Sequence, residues 1–347
     1  MVSIREKQQL LSLYDGCRVY HGELHDHSRS GGTADGKCTL SEWVQEMGEL
    51  KMDFAAILDH RQVRHMYLPE WKDGLFIPGT EPGTTIVGGE HGDLHIHYNI
   101  LLPNRFALQQ LLHQFPEYKF TGGIEGHFVY PTFTREHFCE LVDAVKALGG
   151  FVVHPHPMQL TKVEDPLDYW FRDGMGIEVF YMSADSEFTK EDYPLWVKLL
   201  AAGKRVFACA GGDEHAHASD KALTTLYAED YAAAAYLDHL RIGDFTCGAV
   251  GIRMCVGDTV TGGRCAFSGQ RLIVCVGDFH DSVKFEDHEY RLDILDDQGV
   301  VYSRAISCDD DSFAAIDTGD AAFYRAEVFD VTRNLRIAVG NPIWNGK

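Results

Sequence analysis

The feature that most constrains this chain is positional. Apolar runs that read as buried strands end, one after another, in histidine, aspartate or glutamate. CRVYHGELH (17–25) runs into DHS, DFAAILDH covers 53–60, and LFIPGTE covers 75–81. LHIHYNILL (94–102), FVVHPHP (151–157), GIEVFY (176–181) and RVFACAGGDEH (205–215) continue the series. Helical patterns alternate with these runs. At 39–50, Thr39 with Glu42 three residues on reads as a capping box; at 134–148, Thr134 opens the segment and Gly149 closes it; a third lies at 189–202. Repeated strand–helix units imply a parallel sheet, open or closed into a barrel, whose strand C-termini converge on one face. The texture changes near 246. RLIVCVGDF, YRLDIL, FYRAEVFD and NLRIAVGNPIW are short strand-like runs between Gly, Asp and Asn clusters. The expected division is therefore a barrel over 1–245 and a β-sandwich accessory domain over 246–347.

The convergence gives the strand ends their meaning. His25 and His27, Asp59 and His60, Glu81, His95 and His97, His154 and His156, and Asp213, His215 and His217 are scattered over more than half the chain. On such a fold they meet. Residues i and i+2 of an extended chain face the same way, so the imidazoles of an HxH pair can share a metal ion or serve adjacent ones. Carboxylates can bridge ions and hold a multinuclear cluster together. No HExxH, phosphate-binding loop or G-x-S-x-G elbow competes with this pattern. The Gly-rich stretches 31–36 and 121–126 read as ordinary loops. Mixed nitrogen and oxygen donors accept zinc, manganese and iron alike, and a donor set this large suits two or three divalent ions. Arg29 and Arg61 adjoin ligand motifs and are placed to steady a phosphate, with rim salt bridges as their alternative role. Asp59 is placed to orient a ligand histidine.

A formal net charge of −21 argues against a nucleic-acid polymer or an anionic membrane as partner and favours a small-molecule substrate. The N-terminus has no apolar run of signal-peptide length, and no stretch is long enough for a membrane span. Nine cysteines without a CxxC pair suggest reduced thiols in the cytoplasm, with Cys209, Cys255 and Cys275 in the core. His280 and His288 stand alone in the tail and are expected at the surface. The tail is expected to shape or cover the barrel mouth or to mediate self-association as a homo-oligomer, without supplying metal ligands.

ELHDHS followed by ADG, then AAILDH, PGTE, HIHYNIL, FVVHPHP and AGGDEH, resemble the motifs of the PHP (polymerase and histidinol phosphatase) superfamily over about residues 17–220, in the family's order. LDHLRIGDFTCG (237–248) and AVGNPIW (338–344) look like the tail of its CehA/McbA-type branch. The resemblance implies a distorted (β/α)7 TIM-like barrel with up to three metals. It implies His25, His27, His60, Glu81, His97, His154, Asp213 and His215 as ligands. Asp35 of ADG would join them, three residues later than usual. His95 competes with His97 and His217 with His215; HYN matches the family pattern better at His97. The implied activity is a phosphoesterase in which a metal-activated hydroxide attacks phosphorus. A carbamate, ester or amide hydrolase and a non-catalytic metal-binding module are the alternatives.

Overall fold

Ser3 and Thr39 each close a reciprocal capping box with a glutamate three residues on, starting helices α1 (Ile4–Ser12) and α2 (Leu40–Glu49). The computed structural model describes residues 2–89, 92–116 and 131–346; the Gly-rich stretch 121–126 lies outside them. In the first part of the chain the strands are β1 (Arg18–Asp26), β2 (Phe54–Ile57), β3 (Phe76–Thr80), β4 (Gly83–Gly89), β5 (Gly92–His97), β6 (Asn99–Leu101), β7 (Thr132–Thr134), β8 (Phe151–His154), β9 (Met175–Tyr181) and β10 (Val206–Gly211). Between and beside them lie α3 (Arg105–Gln114), α4 (Arg135–Ala147), α5 (Pro157–Leu160) and α6 (Thr189–Ala201).

Seven of these strands form one run in the order β10–β9–β8–β6–β3–β2–β1. Neighbours are parallel except at β6, which is antiparallel to both β3 and β8. The two ends of the run touch just beyond Gly211. There the Asp213 amide donates to the His25 carbonyl at 2.8 Å, and the His27 amide donates to the Glu214 carbonyl at 3.0 Å. The first half of that same β1 edge, Arg18–Gly22, pairs instead with β11 (Thr224–Ala228), antiparallel. Each backbone N–H and C=O can be used once along an edge, so β11 and the chain after β10 divide the length of β1 between them. The expected closed barrel is thus an arc whose ends meet only at its C-terminal rim.

The expected single strand 94–102 is two. β5 pairs with β4 in a small three-stranded sheet completed by β7, whereas β6 belongs to the main run. Fully buried Tyr98 lies at the break, its amide bonded to the Pro82 carbonyl at 3.1 Å. This side sheet carries His97 on its last residue. The run 151–157 likewise stops at His154 and turns through Pro155 and His156 into α5.

The main sheet continues past β11 into β12 (Phe245–Gly248), with α7 (Ala233–Ile242) between them. The remaining strands are β13 (Gly251–Val256), β14 (Thr259–Val260), β15 (Arg264–Cys265), β16 (Arg271–Gly277), β17 (Tyr290–Asp296), β18 (Gly299–Ile306), β19 (Ser312–Asp317), β20 (Phe323–Asp330), β21 (Leu335–Gly340) and β22 (Ile343–Asn345). They make a sheet of order β14–β13–β16–β19 and a second set, β21–β20–β17–β18, that extends the main sheet through β12. Met254, Val274, Leu292, Ile294, Ala326 and Val328 come from both sets and share one apolar cluster between them. The outer face of the four-stranded sheet is covered by α1 and the turn after it, whose Leu10 and Tyr14 meet Cys255, Ile273 and Cys275. Cys209, Cys255 and Cys275 are core residues, as expected, and all nine cysteines are free thiols. His280, expected at the surface, is buried. Its Nε2 lies 3.1 Å from the Leu50 carbonyl and its ring 5.2 Å from that of His21.

One buried charge in this framework is testable by itself. Asp192 on α6 accepts a hydrogen bond from the Met158 amide of α5 at 3.1 Å, which ties the short helix to the long one. Burial, with the Glu178 carboxylate nearby, pushes its carboxyl up to about 8. A raised carboxyl binds its proton more tightly in the folded chain. Its contribution to stability is therefore fully present below the unfolded value near 4 and is lost as pH rises through about 8. Asp192→Asn keeps an acceptor for Met158 and removes the charge. We expect the variant to gain stability relative to the parent between pH 6 and 9 in urea titrations, the gap widening with pH; parallel pH profiles would show that Asp192 is not protonated in the folded chain.

Candidate metal centre

Glu81 follows β3 and has no exposed surface. Its backbone is fixed by the Leu58 carbonyl, 3.1 Å from its amide, and by the Arg61 amide, 3.2 Å from its carbonyl. Around its carboxylate stand five imidazoles. His97 Nδ1 and His156 Nε2 lie 2.8 and 3.1 Å from Oε1. His25 Nε2, His27 Nε2 and His60 Nδ1 lie 3.3, 3.3 and 3.0 Å from Oε2. Yet Oε2 has hydrogen-bonding geometry to none of these three. Close approach without hydrogen-bond direction means that the lone pairs point at shared space beside the oxygen, as ligands of a common cation do.

Two further carboxylates extend the centre. Asp213 Oδ1 is 2.9 Å from His27 Nε2 and 3.4 Å from His25 Nε2. Asp35 reaches His60 Nε2 at 3.5 Å and His215 Nε2 at 3.3 Å. Three overlapping sets result: His25, His27, Glu81 and Asp213; His27, Asp35, His60 and His215; and His60, Glu81 and His97. In each set the candidate ligand atoms lie within 4.8 Å of one another. His27, His60 and Glu81 each belong to two sets, so adjacent ions would share ligands. Burial opposes a charge on His60, but Glu81 and Asp35 outweigh it and hold the ring up to about 9.

A layer of partners aims these groups. Glu178, in the middle of β9, holds His25 Nδ1 at 2.7 Å with one oxygen and accepts the His156 amide at 2.7 Å with the other. That leaves His25 Nε2 directed at the centre, the carboxylate–histidine arrangement that fixes a ligand's tautomer. Tyr181 donates to Asp213 Oδ2 at 2.7 Å. Trp43 of α2 donates its indole N–H to the His27 carbonyl at 3.1 Å. Gly36 lets the loop carrying Asp35 lie against the chain just beyond β1; a Cβ there would stand 2.6 Å from the His27 carbonyl carbon. Arg61, His156 and Asp213 adopt left-handed backbone at φ 49°, 31° and 55°. Such conformations in non-glycine residues cost energy and concentrate at functional sites.

The structure brings together His25, His27, Asp35, His60, Glu81, His97, Asp213 and His215. It does not bring His154 with them: that ring stacks on Tyr169 at 5.6 Å, with Nε2 3.1 Å from Thr161 Oγ1. His156 takes the place beside Glu81, because the chain turns after β8 and the two histidines no longer share a face as they would in a continuing strand. Of the competing pairs, His95 points to Thr85 at 3.0 Å and exposed His217 to Glu46 at 3.1 Å. Asp59 acts otherwise than expected. It orients no ligand of the cluster; it accepts from Ser28 (amide 2.6 Å, hydroxyl 2.8 Å), Ser30 and Gln62, with His65 Nδ1 at 3.0 Å. These partners outweigh its burial and hold the carboxyl down to about 2. It thereby fixes the loop that follows His27. Arg29 is exposed and lies 3.9 Å from Glu42, a rim ion pair. Glu178 and Tyr181 went unread in the sequence. The available signal was a lone carboxylate inside an otherwise apolar strand, GIEVFY.

No protein-family model and no curated protein matches the chain. Solved structures with partial similarity exist. An amidohydrolase from Chromobacterium violaceum is 17% identical over 56% of this chain and 87% of its own, with a TM-score of 0.37. A protein from Bifidobacterium adolescentis, provisionally described as a metal-dependent phosphoesterase, is 16% identical over 58% and 90%, with a TM-score of 0.35. A lesion-specific endonuclease from Pyrococcus furiosus is 13% identical over 66% and 57%, with a TM-score of 0.44.

Two substitutions test the supporting layer. Glu178→Ala frees the His25 ring and should weaken metal affinity roughly 10–100-fold, with a smaller loss in Glu178→Gln, measured by competition with a chelator. Equal affinity in all three proteins would remove Glu178 from the centre. Gly36→Ala should cost about 1–3 kcal/mol of stability, because the clash is with backbone that cannot swing aside. A midpoint unchanged from the parent's in urea would show that the loop is free to shift.

Proposed function

We propose that the chain is a metal-dependent hydrolase of the PHP superfamily, nearest its CehA/McbA-type branch, and that it acts as a phosphoesterase on small molecules. The observation that carries this reading is the convergence of five imidazoles on the buried Glu81 carboxylate, with Asp213 and Asp35 alongside. The residues fit two or three divalent ions. His25, His27, Glu81 and Asp213 would hold one, His27, Asp35, His60 and His215 a second, and His60, Glu81 and His97, with His156, a third. Zinc, manganese and iron all suit these donors. Bound divalent ions supply a water of lowered pKa and positive charge for a developing oxyanion.

The protein's own part is placement. Glu178 sets the His25 tautomer, Tyr181 holds Asp213, and Asp59 holds the loop after His27. Arg61 sits next to His60 on a left-handed backbone and is the candidate to steady an anionic substrate. The net charge of −21 favours a small substrate over a nucleic-acid polymer.

The experiment is elemental analysis followed by a substrate panel. We expect at least two equivalents of transition metal per chain after reconstitution; less than one would overturn the multinuclear reading. With added Mn²⁺ or Zn²⁺, p-nitrophenyl phosphate, its bis ester, a naphthyl carbamate and a short oligonucleotide separate the hydrolytic classes, and a fully metallated protein inert toward all four would favour a non-catalytic role. Glu81→Gln should lose metal and at least about 100-fold in kcat/KM. Arg61→Ala should keep its metal and raise KM for phosphate substrates alone; equal losses on carbamate would remove Arg61 from anion binding.

A further inference from the structure

At the opposite end of β1 from the metal centre, a second donor set converges. Cys17 Sγ, a Glu229 carboxylate oxygen and a His239 ring nitrogen all lie within 4.8 Å of one another. They come from three elements. Cys17 directly precedes β1 and Glu229 directly follows β11, and the antiparallel register that pairs Arg18 with Ala228 sets these two residues across from each other. His239 lies on α7. From Cys17 to His25 the strand covers eight residues, roughly 26 Å, so the two sites share no ligand.

The imidazole is aimed in the way a metal-binding histidine is. Asp244 Oδ2 lies 3.2 Å from His239 Nδ1, and the buried Asp244 is itself held by the Tyr14 hydroxyl on Oδ1 at 2.7 Å. A carboxylate on Nδ1–H fixes the tautomer whose Nε2 lone pair is free to coordinate. That Nε2 lies 3.7 Å from Glu229 Oε2, too far for a hydrogen bond. It is close to the separation of roughly 3.3 Å between two ligands of one tetrahedral zinc ion.

We propose that Cys17, Glu229 and His239 form a peripheral zinc-type site, with Asp244 as its positioning residue, that clamps α7 to the β1–β11 edge. Thiolate, imidazole and carboxylate together select a borderline-soft ion of the zinc class. Glu229 is exposed, so water completes the coordination. The Cys17 proton leaves as the metal binds, and affinity therefore rises with pH. The other cysteine-containing group, Cys38 with Glu46 and His217, is engaged internally: Cys38 Sγ lies 2.7 Å from the Ala216 carbonyl, and both Glu46 oxygens are taken by His217 and the Ala218 amide. It serves as the control.

Cobalt separates the sites, because the main centre has only nitrogen and oxygen donors and cannot give a thiolate-to-cobalt charge-transfer band. Titrating the full chain with Co²⁺ should produce a saturable near-ultraviolet band in the parent and in Cys38→Ser, and none in Cys17→Ser. Asp244→Asn should weaken Zn²⁺ binding at this site roughly 10–100-fold. Zn²⁺ should also protect Cys17 from iodoacetamide in the parent, mapped by peptide mass, which decides the matter even if Cys17→Ser folds poorly. No band in the parent, the same band in Cys17→Ser, or alkylation of Cys17 unchanged by Zn²⁺ would overturn the site. The group would then be a protonated His239 held between Glu229 and Asp244.

Discussion

A carboxylate with no exposed surface, ringed by five imidazoles, is the interaction on which the rest of this structure depends. Burying an isolated charge is costly enough that proteins pair it, protonate it or give it to a cation. One carboxylate has about four lone-pair sites and cannot satisfy five rings as hydrogen-bond donors. Nor can the rings all carry charge, since their neighbours are one another: the centroids of His27 and His60 lie 4.6 Å apart. Divalent ions between the donors would resolve both difficulties, and much of the surrounding architecture keeps those donors in place. Glu178 holds a ring, Tyr181 a carboxylate, Trp43 a carbonyl and Asp59 a loop.

Much of this was legible in the sequence, because strand ends and ligand types coincide. Helix starts were readable from Thr39 and Thr134, whose side chains cap as their spacing predicts. The donor set was readable where the candidate lies at a strand end or within three residues of one, as do His25, His60 and Glu81. Reading failed where the chain changes direction inside an apolar run. LHIHYNILL carries no glycine or proline to announce the break at Tyr98, and the two halves enter different sheets because the long-range partners β4 and β8 claim them. At HPHP the prolines bend the chain, so strand parity no longer predicts which histidine faces inward. Glu178 was invisible for another reason. A single acid in a buried strand has no local partner in sequence, and its role depends on His25, 153 positions away.

The left-handed residues fit the same account. His156 and Asp213 each lie two residues beyond a strand, β8 and β10, where the chain must turn without withdrawing the side chain from the centre, and Arg61 lies four residues beyond β2. Glycine would adopt these angles at less cost. At His156 and Asp213 it would supply no ligand atom. The strain sits at the positions where an ordinary backbone would point the donor elsewhere.

The uninterrupted ladder from β10 to β18 bears on how the chain could have been assembled and how it comes apart. Because β12 is hydrogen-bonded to β11 on one side and β21 on the other, the half that carries the donor cluster and the strand-rich half are laminated into one sheet. A cut at residue 245 would run through a strand. It would leave two raw edges, each a template for pairing with another chain. Melting of either half must open the other, so the two should behave as a single cooperative unit rather than as beads on a string. Transplanting the half that carries the donor cluster onto a different partner would require a substitute strand, and no flexible tether could take its place.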